Sequence, residues 1–164
     1  MWVGITTGCR ISEIFGLDEW HFDKAKLELM VEQQMNRKSS SIREKTKNRT
    51  SRKTLVLQSG VKYLERVLAE PIEKRLSHLG RDRYAEVLRK SIVRSGVRNH
   101  HLNPKTFRFH DLRHSFAVHM LGLGASIDEI SKLLGDTVEV CNRYYLGSEL
   151  PAASLDRLRK LLTT

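Results

Sequence analysis

No apolar run in the 164-residue chain approaches the roughly 20 residues a helix needs to span a bilayer, so no membrane segment is expected. The opening MWVGITTGCRISEIFGL lacks the basic-then-apolar layout of a secretory leader. Cysteine is scarce. Cys9 and Cys141 make neither a metal-ligand spacing nor a disulfide framework, which leaves two reduced thiols and a cytoplasmic setting as the expectation. Internal repeats are absent, as is low-complexity sequence outside one basic segment. Acidic residues are the other shortage, 19 against 29 Lys and Arg, for a formal net charge of +10. Such an excess suits a polyanion, nucleic acid before an anionic membrane surface, although a merely soluble basic protein would carry it too. What is present is ordinary. With 40% hydrophobic and 7% aromatic residues, one domain of this length can bury a core of its own.

Residues 1–17 carry a helical apolar pattern, with Ile11, Ile14, Phe15 and Leu17 on one side, and so abrupt a start suggests a piece of a longer protein. A β-like stretch follows, Trp20 and Phe22, then Leu27, Leu29 and Val31 in alternation. Residues 36–53, NRKSSSIREKTKNRTSRK, form the basic segment, and TLVLQ at 54–58 is a third strand candidate. From Gly60 onward the pattern is helical. VKYLERVLAEPIEKRLSHL should break at Pro71, and RDRYAEVLRKSIVRSG should end near Gly96. Residues 97–109 are polar and irregular. Leu112, Phe116 and Met120 then recur at helical spacing until Gly122 and Gly124. Ser126 with Glu129 forms a capping-box pattern for a short helix carrying Ile127, Ile130, Leu133 and Leu134. A further helix is expected from about Thr137 through Tyr145, and an amphipathic one over residues 152–162. The expected fold class is α+β, mainly helical, with one small three-stranded antiparallel sheet.

Three separated stretches draw attention together. TGCRISEIFGL at 7–17 sets Arg10 at a helix start beside Glu13; HDLRHSFAVHM at 110–120 puts His110 and Arg113 one turn apart on a shared face; LLGDTVEVCNRYYLG at 133–147 ends in paired tyrosines. A lysine-rich hairpin lies between the first two. Taken singly, each has a plain structural reading: an i,i+3 ion pair for Arg10 and Glu13, a capping or core histidine for His110, and one buried and one surface ring for the tyrosines.

Their order and wording go further. Residues 7–17 resemble the TGxRxSE box of the tyrosine recombinase, or phage integrase, family, residues 110–117 closely match its HxLRHxFA box, and LLGD…YY resembles its terminal box. The resemblance covers nearly the whole chain, 1–164. It implies the family's catalytic-domain fold, with the N-terminal DNA-clamping domain missing. It also implies an enzyme that cuts and rejoins double-stranded DNA through a 3′-phosphotyrosine, without metal or other cofactor. Arg10 and Arg113 would then grip the phosphate oxygens as charged forks. His110 would donate a further hydrogen bond or assist proton transfer. A lysine on the hairpin between the second and third strands would protonate the departing 5′-oxygen. The pattern KTxxSRRxVPL best matches residues 47–57 and selects Lys47, with Lys45 as its competitor. Spacing from the terminal box selects Tyr145 as the nucleophile, nine positions after Asp136. Tyr144, three residues after Cys141 and four after Val140, is expected on the buried face, and a shorter turn at 136–137 would reverse the choice. Glu13 and Asp111 are expected to orient the arginines or histidine, and His114 to be structural.

One departure stands out. Where the family usually has His after Leu-Gly, this chain has Asp136, which when ionised cannot donate a hydrogen bond. It could cap the last short helix with Glu139. This departure alone supports the competing reading, a degenerate DNA-binding relic or regulator. Type IB topoisomerases, which share the chemistry, fit the HxLRH wording less well. For the whole protein the resemblance implies a homotetramer on DNA, with the helix at 152–162 docking on a neighbouring protomer. For this stretch alone a monomer is expected, with that helix folded back on its own domain.

Overall fold

The computed structural model describes residues 1–36, 41–43, 51–78, 81–94 and 107–145, with backbone alone for residues 43, 76–78, 81–85 and 145. The apolar opening splits into two helices, α1 (Trp2–Thr7) and α2 (Ile11–Phe15). The break falls at Gly8, whose left-handed conformation (φ 66°) lets its N–H cap α1 on the Gly4 carbonyl at 3.1 Å. A Cβ there would stand 2.6 Å from the Phe116 ring and 2.7 Å from Leu134, so α1 and its neighbours close on a bare backbone.

Trp20 does not begin a strand. It sits exposed in a short 3₁₀ turn, Glu19–His21, stacked on His21. Strands β1 (Phe22–Asp23), β2 (Glu28–Val31) and β5 (Arg52–Leu55) make the expected three-stranded antiparallel sheet in the order β1-β2-β5. Within the basic segment, β4 (Ile42–Arg43) pairs antiparallel with β3 (Gln34–Met35) as a separate two-stranded ladder. The third strand starts earlier and ends sooner than the apolar run TLVLQ suggests. Beyond Leu55 one more bond follows the ladder register, from Val56 to the Leu27 carbonyl, and Leu57 then turns away to donate to Thr6.

Helices α3 (Val61–Leu68) and α4 (Ile72–His78) are separated at Pro71, as expected, and α5 spans Arg81–Arg94. Then come α6 (Phe109–Gly122), α7 (Ile127–Leu134) and α8 (Val138–Tyr145). Ser126 and Glu129 form the capping box of α7, each side chain taking the other's backbone N–H, at 3.2 and 2.6 Å. The apolar side chains gather in two cores. One joins α1, α3 and the sheet through Val3, Leu17, Leu29, Val31, Val56 and Leu64. The other joins α6, α7 and α8 through Phe116, Met120, Ile130, Leu134 and Cys141. Among the described residues no helix is long and apolar enough to cross a membrane. The expected helix over 152–162 and residues 97–106 of the stretch expected to be irregular over 97–109 lie outside the described residues, and α6 already begins at Phe109.

Candidate active site

The seam between the two cores is polar, and Arg113 fills it. Leu112, Phe116 and Met120 pin one face of α6 in apolar packing, which carries Arg113 inside with them to full burial. A buried guanidinium must find acceptors. Its Nη1 donates to the Gly8 carbonyl at 2.9 Å, and its Nη2 to the Leu134 carbonyl at 2.6 Å and to Asp136 Oδ2 at 2.7 Å. Both carbonyls stand at helix C-termini, Gly8 just past α1 and Leu134 the last residue of α7, where no intrahelical partner remains. The Nε is buried without an acceptor. Burial, and then the charge of Arg10, lower its pKa, against the pull of Asp136.

Arg10 reaches the same place from α2. It is the N-cap of that helix, in extended conformation, and its N–H donates to Glu13 Oε2 at 2.7 Å. Its Nη1 donates to Glu13 Oε1 at 2.8 Å and its Nη2 to Asp136 Oδ1. The two arginines, remote in sequence, therefore hold the two oxygens of one carboxylate, a spacing close to that of two oxygens on one phosphate.

Glu13 is the anchor beneath them. Its side chain is 1% exposed and takes both Nη1 and Nη2 of Arg52, at 2.9 and 2.8 Å. Burial by itself would raise this carboxyl. The Arg52 hydrogen bonds and charge, with that of Arg10, overturn the effect and hold it at about 2. Arg52 also donates through Nε to the Leu133 carbonyl at 2.9 Å, tying the base of the basic segment to the end of α7. Glu13 thus orients the arginines, as expected of it. The part played by Arg52 was not expected. Its signal lay in the strand RKTL, where Arg52 and Thr54 turn inward while Leu55 faces solvent, the reverse of the usual polarity. The SRR of the matched pattern also falls on Ser51-Arg52-Lys53.

His110 lies at the surface on the first turn of α6. Partial desolvation first, then the Arg113 and Arg10 charges, lower its pKa against an opposing effect of Asp136, so it stands within the field of the same cluster and is neutral at pH 7. Asp111 accepts the Arg108 N–H at 2.6 Å and pairs with the Arg108 guanidinium at 3.7 Å, and so fastens the start of α6 instead of touching Arg10 or Arg113. His114 is exposed on another side of α6.

Two expectations about the terminal stretch need correction. Asp136 does not cap α8. Thr137 does, its hydroxyl accepting the Val140 N–H at 3.3 Å, because the two arginines take the Asp136 carboxylate. Tyr144 is not buried either; Cys141 fills the inward position and Tyr144 is 63% exposed. The Tyr145 backbone closes α8, while its side chain, together with Lys45 and Lys47, lies outside what is described. Among the described residues, no three His, Cys, Asp or Glu side chains gather to hold a metal ion.

Comparisons with known proteins identify the family and the fold. A model of the phage integrase family matches residues 2–148. The chain is 31% identical over 138 residues to the tyrosine recombinase XerC of Serratia marcescens, a match covering 78% of this chain and 40% of that protein. The Tn1549 transposon integrase, solved with a circular intermediate DNA, superposes with a TM-score of 0.71 at 18% identity over 97% of this chain and 56% of that one. For the XerA recombinase the TM-score is 0.61 at 19% identity, covering 99% of this chain and 56% of the other. These two likenesses establish the fold, a tyrosine recombinase catalytic domain. The chain spans less than half of the curated relative and little more than half of these structures.

Proposed function

The chain belongs to the phage integrase family, and from that premise we propose that it is the strand-cleaving part of a site-specific DNA recombinase. The observation that carries this reading is the convergence of Arg10 and Arg113 on the two oxygens of one anionic group. A phosphodiester carries one negative charge and gains more in its pentavalent transition state, where fork-shaped guanidiniums fixed beforehand are most effective. Glu13 and the carbonyls of Gly8 and Leu134 fix them here. Neutral His110 donates a ring N–H to a phosphate oxygen. Tyr145, in the last turn of α8, attacks phosphorus as its phenol proton passes to the unprotonated ring nitrogen of His110, forming the 3′-phosphotyrosine as the bond to the 5′-oxygen breaks. Lys47 gives that oxygen its proton. A 5′-hydroxyl then attacks the phosphotyrosine, restoring the diester and releasing the tyrosine. In this reading the whole protein works in the cytoplasm as a homotetramer on double-stranded DNA, and residues 1–164 form the catalytic domain behind a clamping domain.

The competing reading, a relic that binds DNA without cutting it, draws on Asp136, which engages both arginines. A nicked suicide substrate separates the two, because the broken strand diffuses away and traps the covalent adduct. The expected result is an adduct with the unaltered protein, none with Tyr145→Phe, near-normal DNA binding by that variant, and an adduct retained in Tyr144→Phe. Loss in Tyr144→Phe with retention in Tyr145→Phe would move the nucleophile one residue back. DNA binding without any adduct in the unaltered protein would establish the relic.

A further inference from the structure

Asp136 occupies the ground that a substrate phosphate needs. Three guanidiniums, Arg10, Arg52 and Arg113, face two carboxylates, Glu13 and Asp136, so one net positive charge is left; without Asp136 it would be two. The two carboxylates are not equivalent. Glu13 is 1% exposed and braced by three arginines, whereas Asp136 is 16% exposed and stands at the outer side of the cluster. Its side-chain oxygens bond to Arg10 and Arg113, and Thr137 relieves it of any capping duty. The turn that delivers it is built for the purpose. Gly135 adopts φ 66°, with Arg52 Cδ only 2.7 Å from where a Cβ would be, and the Asp136 N–H is fixed on the Ser131 carbonyl at 3.1 Å.

Three of the five N–H donors on Arg113, both of those on Nη2 among them, are taken while Asp136 is in place. Nη1 and Nη2 serve Gly8, Leu134 and Asp136, and of the three nitrogens only the buried Nε is unpaired. The Nε–Nη2 edge is the one on which a guanidinium takes an oxyanion side-on. A carboxylate shared between two arginines leaves that edge half used, and a phosphate with more oxygens can fill it.

We propose that the Asp136 carboxylate is a built-in occupant of the phosphate seat, which a DNA phosphate enters only as Asp136 leaves the two arginines. The proposal rests on the recombinase reading for the identity of its ligand, a phosphodiester, and the seat itself can be tested without turnover. Asp136 keeps the buried Arg113 charge paired while no DNA is bound, and its departure is the cost of binding. Phosphates held by enough other contacts, as on a complete DNA site, overcome that cost readily, whereas an isolated phosphate enters the seat only weakly, at high concentration.

Inorganic phosphate is the probe, titrated into the chain and followed by the side-chain Nε–H NMR signals of Arg10 and Arg113 and the carboxyl carbon of Asp136. Asp136→Asn keeps the shape and removes the charge, and should bind phosphate at least about tenfold more tightly than the unaltered chain. Asp128→Asn, which removes an exposed charge paired with Lys132 on α7, controls for net charge and should change the affinity little. Equal or weaker phosphate binding by a folded Asp136→Asn chain overturns the proposal. If that variant does not fold, the unaltered chain decides. The Asp136 carbon should then shift in step with the arginine signals; arginines that respond while Asp136 does not, or no response at all, overturn the proposal. Tighter phosphate binding in Asp136→Asn with no adduct in any chain would leave the seat standing and remove the recombinase reading. An adduct with unchanged phosphate affinity would do the reverse.

Discussion

Glu13 shows how much a single buried carboxylate can organise. Its two oxygens receive Arg52 head-on and Arg10 through both backbone and side chain, and Oε2 lies 3.9 Å from the Arg113 Nη1. With its pKa held at about 2, against an ordinary 4.5, it contributes stability that is fully present above 4.5 and lost as the pH falls from there towards 2. The shift corresponds to about 3 kcal/mol. Glu13→Gln should therefore be markedly less stable than the unaltered chain at neutral pH, with the gap closing as acid is added. Urea unfolding at a series of pH values measures it, and a gap that stays constant down to pH ~2 would rule out this linkage. The arginines respond to a different test. Lysine keeps the charge but loses the fork, so Arg10→Lys or Arg113→Lys should each lower the rate of adduct formation about 100-fold or more. Arg113→Lys should also destabilise the chain, because a single ammonium cannot reach the Gly8 carbonyl, the Leu134 carbonyl and Asp136 together. Rates within a few-fold of the original in both variants would mean that the fork geometry is not used.

At the scale of elements, the site depends on where helices stop. α1 ends at Gly8 and α7 at Gly135, both left-handed, and the carbonyls exposed beside those ends are the ones that hold Arg113. Gly8→Ala combines a strained φ with a methyl driven against Phe116 and Leu134, and should cost about 2–4 kcal/mol. In a chain of this size that is a fall in melting temperature on the order of 10 °C, and calorimetry showing no change would contradict the packing described. The same elements mark the limit of local pattern. Ser126 and Glu129 announce α7 because a capping box is complete within four consecutive residues. The end of the third strand could not be read in that way, because Leu57 leaves the ladder for the carbonyl of Thr6, far away in sequence. Tyr144 misled for a related reason: among the described side chains of α8 the buried position is that of the small Cys141, and Tyr144 stays exposed.

For the whole molecule, the excess of ten positive charges would, on the recombinase reading, set how DNA is approached. Each phosphate neutralised releases counterions, so affinity for an arbitrary duplex should fall steeply with salt, with a log–log slope of about −0.9 per contact. Fluorescence anisotropy over a salt series should give a slope steeper than about −3; a flat dependence would mean that the basic surface is not a DNA surface. The expected helix over 152–162 lies outside the described residues. Its docking on a neighbouring protomer remains part of the functional proposal. Truncation after Ser148 should weaken assembly on paired sites more than binding to a single half-site, and equal loss in both would place the helix in the chain's own core.

The sequence by itself determined the family and most of the elements, because boxes such as HDLRH and TGCRISE combine local helix signals with residue types that phosphate chemistry requires. It also marked Arg10, His110 and Arg113 as a set. Only the tertiary structure decided what holds that set in place. Arg52 becomes a brace through its pairing with Glu13, and Asp136 becomes a partner of both arginines in place of a cap for α8. A buried charge takes whichever opposite charge the fold brings within reach, and that choice is made between residues far apart in the chain.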